Sequence, residues 1–180
     1  MSRRLARAGT VILIVPLLGS ASAQEAGSER TLDLQLRVVD LQLRISDLAG
    51  AATTTESNDE VEVALSADVL FAFDSARLTP KARGILADVA RRIEKEGSGP
   101  VQIEGHTDSK GSGPYNSRLS LRRARAVHGE LRRLVGGGGI GFEVRGFGET
   151  RPVAPNTRTD GSDNPQGRAL NRRVEVRFPK

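Results

Sequence analysis

The sequence predicts an α+β fold. The expected form is a two-layer α/β sandwich, a β-α-β-α-β-β mixed sheet with helices on one face, preceded by a short repeat segment. Three observations carry that prediction. Val61, Val63 and Leu65 alternate with polar or small neighbours, as do Val174, Val176 and Phe178, which is the period of half-buried strands. Ala82, Ile85, Leu86, Val89, Ala90 and Ile93 form one apolar stripe at helical spacing, and Leu121, Ala124, Val127, Leu131 and Leu134 form a second. Breakers rich in Gly and Pro fall between these segments.

The domain is expected over residues 60–180, and its elements follow in order. Glu60 to Leu65 is the first strand, and the apolar run Val69 to Phe73 is read as its continuation after a bend at Ser66-Ala67-Asp68. Thr79-Pro80 starts the first helix, with Thr as N-cap and Pro in the first turn. Gly97-Ser-Gly-Pro100 stops it, and Val101, Ile103 and Gly105 form a short strand that enters a polar loop. The second helix is placed from Asn116 or Ser117, either of which can cap it, to Val135, and Gly136 to Gly139 ends it. Phe142 to Phe147 is a strand, 148–168 a long polar loop, Ala169 to Arg173 a helical turn, and Val174 to Phe178 the last strand.

Ahead of the domain the chain changes character twice. Residues 1–23 read as a secretory signal: Arg3, Arg4 and Arg7, an apolar Val11–Leu18, and Ala21-Ser22-Ala23 before the expected cleavage. That apolar core is far shorter than the ~20 residues of a spanning helix, so no transmembrane span is expected once it is removed. Residues 24–59 are acidic, with three Arg against seven Asp and Glu. Within them Asp33-Leu-Gln-Leu-Arg-Val-Val is followed by Asp40-Leu-Gln-Leu-Arg-Ile-Ser, a period of seven. Leu34, Val38, Leu41, Ile45 and Leu48 make a heptad seam. Leu32, Leu34, Leu36 and Val39, Leu41, Leu43, Ile45 alternate as strands do. The segment fits either a short element covering its own domain or a surface for self-association or an envelope partner. Ala49 to Asp59, small and rich in Thr, is read as a linker.

Composition narrows the function. The whole chain has 27 Lys and Arg against 22 Asp and Glu, yet residues 60–180 alone hold 21 against 15, so the basic excess belongs to the domain. With no Trp and one Tyr, the chain lacks the rings of a base-stacking surface, and no nucleic-acid partner is expected. The absence of Cys excludes disulfides, thiolate metal sites and an acylated N-terminal cysteine. Only two His are present, without metal-ligand spacing, and no cofactor or metal is implied. A membrane barrel of eight strands needs at least ~70 residues, more than 24–59 contain.

The densest polar cluster is Gly105-His-Thr-Asp108 at the end of a strand, followed by Asn116 and Arg123 on the next helix. Asp108 offers a fixed anion and Arg123 a planar carboxylate clamp. One pocket holding both recognises a zwitterion; two such residues in contact make an ordinary ion pair. His106 is read as a structural hydrogen-bonder and His128 as exposed on the helix.

Gly105-His-Thr-Asp-Ser109, Gly111, Tyr115-Asn116, Leu119-Ser120, Arg123-Ala124, Gly146, Gly148-Glu149, Pro152, Asn156 and Asn171-Arg-Arg-Val174 resemble, in order, the outer-membrane-protein-A-like (OmpA-like) C-terminal domain. Phe71 to Pro80 resembles that family's first segment. The resemblance implies noncovalent binding of peptidoglycan, with Asp108 on the ammonium and Arg123 on the carboxylate of diaminopimelate in the stem peptide. It implies accessory roles for Thr107 and Asn116, a pocket lining from Phe73 and Asp74, and a further contact from Arg172, for which bracing the sheet end is the competing role. It places the protein in the periplasm or at the outer membrane, bound to peptidoglycan, with the wall of a monoderm bacterium as the alternative. A wall hydrolase is the enzymatic alternative, which no residue constellation supports, and the protein is read as a non-enzyme. Two departures stand out: the glycine run 136–139, and an apparent insertion from Asp160 to Gly167 in the loop before Asn171.

Overall fold

A computed structural model describes residues 51–136 and 139–180, together with the backbone of 43–46. The leader 1–23 and the first part of the repeat lie outside the described residues. The elements are β1 (Leu43–Ser46), β2 (Ala52–Glu56), β3 (Glu60–Ser66), α1 (Ala67–Leu70), α2 (Pro80–Glu96), β4 (Val101–His106), α3 (Gly113–Leu134), β5 (Phe142–Gly148), α4 (Pro165–Asn171) and β6 (Arg173–Pro179). They build one sheet of order β1-β2-β3-β6-β4-β5. β4 and β5 are parallel, and every other neighbouring pair is antiparallel.

The expected α+β sandwich is therefore present, and its core follows the sequence periods. Val61, Val63, Leu65, Val101, Ile103, Val174, Val176 and Phe178 are buried on one sheet face against Leu86, Val89 and Ile93 of α2 and Ala124, Val127 and Leu131 of α3. Thr79 caps α2 as expected: its hydroxyl accepts from the Ala82 N–H (3.1 Å) and donates to the Val69 carbonyl (2.9 Å). Thr79→Ala removes both bonds. It is expected to cost about 1–2 kcal/mol, read as a lower urea midpoint with an unchanged slope.

Two expectations are corrected, and for Leu43–Ser46 the structure selects between two open readings. Ala49 to Asp59 is not a linker in its described part, because Ala52–Glu56 pairs along its whole length with β3, from Ala52 opposite Leu65 to Glu56 opposite Val61. Three consecutive β-branched Thr favour the extended backbone even without apolar alternation. Leu43–Ser46 of the repeat is a strand as well, paired with β2, so its backbone follows the alternating pattern and not the heptad. The run after Ser66 does not continue β3: Ala67–Leu70 is a single helical turn, and the chain then folds back through a Phe71–Leu78 bridge.

The sheet's other face is ionic. Glu104 lies directly opposite Glu175 across β4 and β6, and Glu62 lies opposite Arg177 across β3 and β6. Arg177 bonds Glu62 (3.1 Å), Glu104 (3.1 Å) and Glu175, and Arg173 bonds Glu175 (2.6 Å). Among the described residues, no helix is long and apolar enough to cross a membrane.

Candidate functional site

A cavity of about 580 Å³ opens where the end of β4, the first turns of α3, the turn α1 and the chain just before β6 meet. All seven predicted site residues line it: Phe73, Asp74, Thr107, Asp108, Asn116, Arg123 and Arg172. They come from three separated stretches, brought together because β6 lies between β3 and β4 in the sheet.

Asp108 and Arg123 are not partners. The Asp108 carboxylate accepts from the Lys110 backbone N–H (3.0 Å) and from Arg172 Nη1 (2.7 Å), and lies 3.6 Å from Arg168 Nε. Arg123 reaches from α3 to the opposite wall. Its Nε donates to the Ser75 carbonyl (3.0 Å), and its guanidinium carbon sits 5.3 Å from the centre of the Phe71 ring. Burial lowers the Arg123 pKa from its ordinary value, against the fields of Asp68 and Asp74, which favour the charge. Among the described residues its terminal nitrogens make no hydrogen bond, which leaves the carboxylate-binding fork of the side chain uncommitted.

Arg172 is both a wall and a brace. Its Nε and Nη2 bond both oxygens of Asp68 (2.8 and 2.6 Å) while Nη1 holds Asp108. The hydrogen bonds to Asp68, helped by those to Asp108, raise its pKa further against the effect of burial. Arg173, the next residue, points to the other sheet face and pairs with Glu175. Thr107 is buried, and its hydroxyl has no hydrogen-bond partner among the described residues.

Asn116 does not cap α3. The helix begins one turn earlier, at Gly113 with Pro114 in the first turn and Ser112 as N-cap residue, and the Asn116 N–H already bonds the Ser112 carbonyl. The Asn116 side chain instead ties down the loop before the helix. Its amide donates to the carbonyls of Lys110 (3.0 Å) and Asp108 (3.4 Å) and to Glu149. Phe73 is fully exposed at the rim. Asp74, which takes a positive φ of 49°, accepts from the Tyr115 hydroxyl.

The two histidines lie elsewhere. His106 is buried on the ionic sheet face, stacked on Phe147 with ring centres 5.5 Å apart. It is not the hydrogen-bonder expected: Nε2 is 3.7 Å from Glu175, beyond hydrogen-bond length, and neither ring nitrogen has a partner among the described residues. His128 is half-buried, edge-on to Phe142 at 5.2 Å. Glu104, His106 and Glu175 bring potential metal-ligand atoms within 4.8 Å of one another. Arg177 already bonds both carboxylates and Arg173 bonds one, so a divalent ion there would have to displace guanidinium groups.

The sequence patterns converge with an independent comparison, in which the model of the OmpA family matches residues 70–165. The chain belongs to the OmpA family. Over 119 residues it is 44% identical to the photosystem I P700 chlorophyll a apoprotein A2 of Gloeobacter violaceus, a match covering 64% of this chain and 13% of that protein. It is 38% identical over 120 residues to the peptidoglycan-associated lipoprotein of Pseudomonas aeruginosa, covering 67% of each. The cell wall anchor of the T6SS from Pseudomonas aeruginosa superposes with a TM-score of 0.59 at 31% identity, over 73% of this chain and 90% of that one.

Four polar or charged residues of this OmpA-family cavity lie outside the predicted site: Asp68, Lys110, Tyr115 and Arg168. Tyr115 belongs to the motif that carried the resemblance, and its role emerges only with Asp74, 41 positions away. Asp68 falls in what the sequence suggests is a bend at 66–68, where the structure has the first turn of α1, in which an Asp is itself a local signal. Lys110 and Arg168 have no local signal: Lys110 is placed by the loop between β4 and α3, which Asp108 and Asn116 hold, and Arg168 by the turn of α4.

Proposed function

We propose that this OmpA-family domain binds peptidoglycan noncovalently through diaminopimelate of the stem peptide and so anchors the protein, or a partner, to the cell wall. The observation that carries this reading is the separation of Asp108 and Arg123. They line one cavity from different walls and are not spent on each other, as recognition of a zwitterion requires. The ligand's carboxylate meets the uncommitted fork of Arg123. Its ammonium meets Asp108, with Asp68 and Asp74 adding negative charge to offset the neighbouring Arg172. Thr107 offers its unpartnered hydroxyl. The names of two similar proteins, a peptidoglycan-associated lipoprotein and a cell wall anchor, agree with this role. The location that follows is the periplasm or an outer-membrane-associated, peptidoglycan-bound position, after removal of residues 1–23.

Binding, and not hydrolysis, fits the carboxylates. Asp68 and Asp108 are both engaged by Arg172 instead of facing each other across an open cleft as a glycosidase pair does. A zymogram is expected to show no clearing.

The site is tested by sedimentation with purified peptidoglycan. Asp108→Ala and Arg123→Ala are each expected to lose about 2–5 kcal/mol of binding, roughly 30- to several-thousandfold. Retention equal to wild type for both variants would overturn the assignment.

A further inference from the structure

The loop before α4 brings a carboxylate, Asp163, to two residues that line the cavity, Lys110 and Arg168. Residues 157–163 form a small closed hairpin: Thr157 bridges Asp163, the Arg158 N–H bonds the Ser162 carbonyl (2.8 Å), and Arg158 Nη1 bonds the Asp163 carbonyl (2.8 Å). Asn164 then caps α4 and bonds back to the Pro155 carbonyl (2.8 Å), so the position of Asp163 is set by the backbone on both sides. Its side chain is placed between two cations of the cavity wall. Arg168 Nη1 bonds the Asp163 carboxylate, and Lys110 Nζ lies 3.9 Å from the same oxygen. Arg168 also faces Asp108 through Nε, at 3.6 Å.

A carboxylate held between a guanidinium and an ammonium at the edge of a pocket describes a carboxylate site, here filled by the chain itself. We propose that Lys110 and Arg168 form a second carboxylate subsite, which Asp163 occupies in the free protein and a further carboxylate of the bound peptide takes over. The proposal rests on the peptidoglycan reading above. Charge supports it. The cavity is lined by Lys110, Arg123, Arg168 and Arg172 against Asp68, Asp74 and Asp108. That excess of positive charge suits a ligand with more carboxylates than ammonium groups, as a stem peptide has and free diaminopimelate does not. Side-chain exposure supports it too. Asp163 at 49% and Lys110 at 69% are open to solvent, so the seated carboxylate can swing into water, while mostly buried Arg168, at 14%, keeps Asp108 at 3.6 Å. The loop before α4 would then set specificity: it weakens binding of any peptide whose second carboxyl is neutral, since nothing displaces Asp163.

The test is calorimetric, on the full chain. One probe is a stem tripeptide ending in diaminopimelate with every carboxyl free, and the other is the same peptide with its glutamyl carboxyl amidated. Wild type is expected to favour the free peptide by about three- to tenfold, a modest margin because the pair is solvent-screened. Asp163→Asn is expected to raise affinity for the free peptide several-fold more than for the amide. Lys110→Gln and Arg168→Gln are expected to bring the free-to-amide ratio towards one. Wild-type ratios in all three variants, alongside lost binding in Asp108→Ala and Arg123→Ala, would overturn the subsite and leave the pocket standing. Full binding of both peptides by Asp108→Ala and Arg123→Ala would overturn the pocket reading itself.

Discussion

Gly105→Ala is expected to destabilise the domain by about 3 kcal/mol, a large part of the 5–15 kcal/mol that a domain of this size has in hand. Gly105 lies where β4 passes beneath α3. A Cβ built there meets the Ser120 carbonyl oxygen at 2.2 Å and its carbon at 2.9 Å. These are backbone atoms of a helix, so relief requires moving α3 off the sheet and not turning one side chain. The same helix supplies the control. A Cβ at Gly129 meets nothing within 4 Å, so Gly129→Ala is expected to stabilise by up to about 1 kcal/mol through helix propensity. Urea midpoints of the two variants should move in opposite directions. Because Gly105 is followed directly by His106, Thr107 and Asp108, the first variant should also lose peptidoglycan retention, and the second should keep it. A Gly105→Ala midpoint equal to wild type would mean that α3 rides on the sheet with slack the structure does not show.

That close approach also explains what the sequence made legible. Strands β3, β4 and β6 and helices α2 and α3 each bury one face against a common core, and β5 packs half-buried Phe142 and Val144 against it, so each carries its period in its own residues. β2 does not. Its burial is partial along Ala-Thr-Thr-Thr-Glu, and its place in the sheet comes from pairing with β3 and β1, a nonlocal fact that composition disguised as a linker. The start of α3 was misplaced because Asn116 is a good cap by type, whereas Gly113-Pro114 already begins the helix and frees Asn116 to hold the loop. At the site, the seven predicted residues meet in one cavity, but their pairing was not readable. Asp108 finds Arg172, 64 positions away, and not Arg123, 15 positions on. Spacing along the chain says which residues share a loop or a helix; only the strand order, with β6 inserted between β3 and β4, says which carboxylate meets which guanidinium.

The ionic sheet face yields the other large effect. Glu104 and Glu175 are both nearly inaccessible and face each other on adjacent strands, a like-charge pair that destabilises a sheet unless a cation is shared between them. Arg177 is that cation, bonding both and Glu62 as well. Arg177→Met keeps much of the volume but leaves buried Glu104 with the guanidinium of Arg151 alone, at 3.8 Å, and buried Glu175 with that of Arg173 alone. It is expected to cost about 3–5 kcal/mol at pH 7. The pH dependence separates this cause from lost packing. Burial alone would raise the Glu175 pKa, but contact with His106 and the charges of Arg173 and Arg177 outweigh it and hold it at about 2, against an ordinary 4.5. A carboxyl depressed on folding contributes stability that is fully present above the unfolded value of 4.5 and is lost as pH falls through about 2, here roughly 3 kcal/mol. Without Arg177 that depression shrinks, so the variant has less to lose on acidification. The stability gap between wild type and Arg177→Met, measured by urea unfolding at pH 7, 4 and 2.5, is therefore expected to narrow between pH 4.5 and 2. A gap of constant size across that range would assign the role of Arg177 to the packing of its aliphatic stem over the sheet and not to its charge.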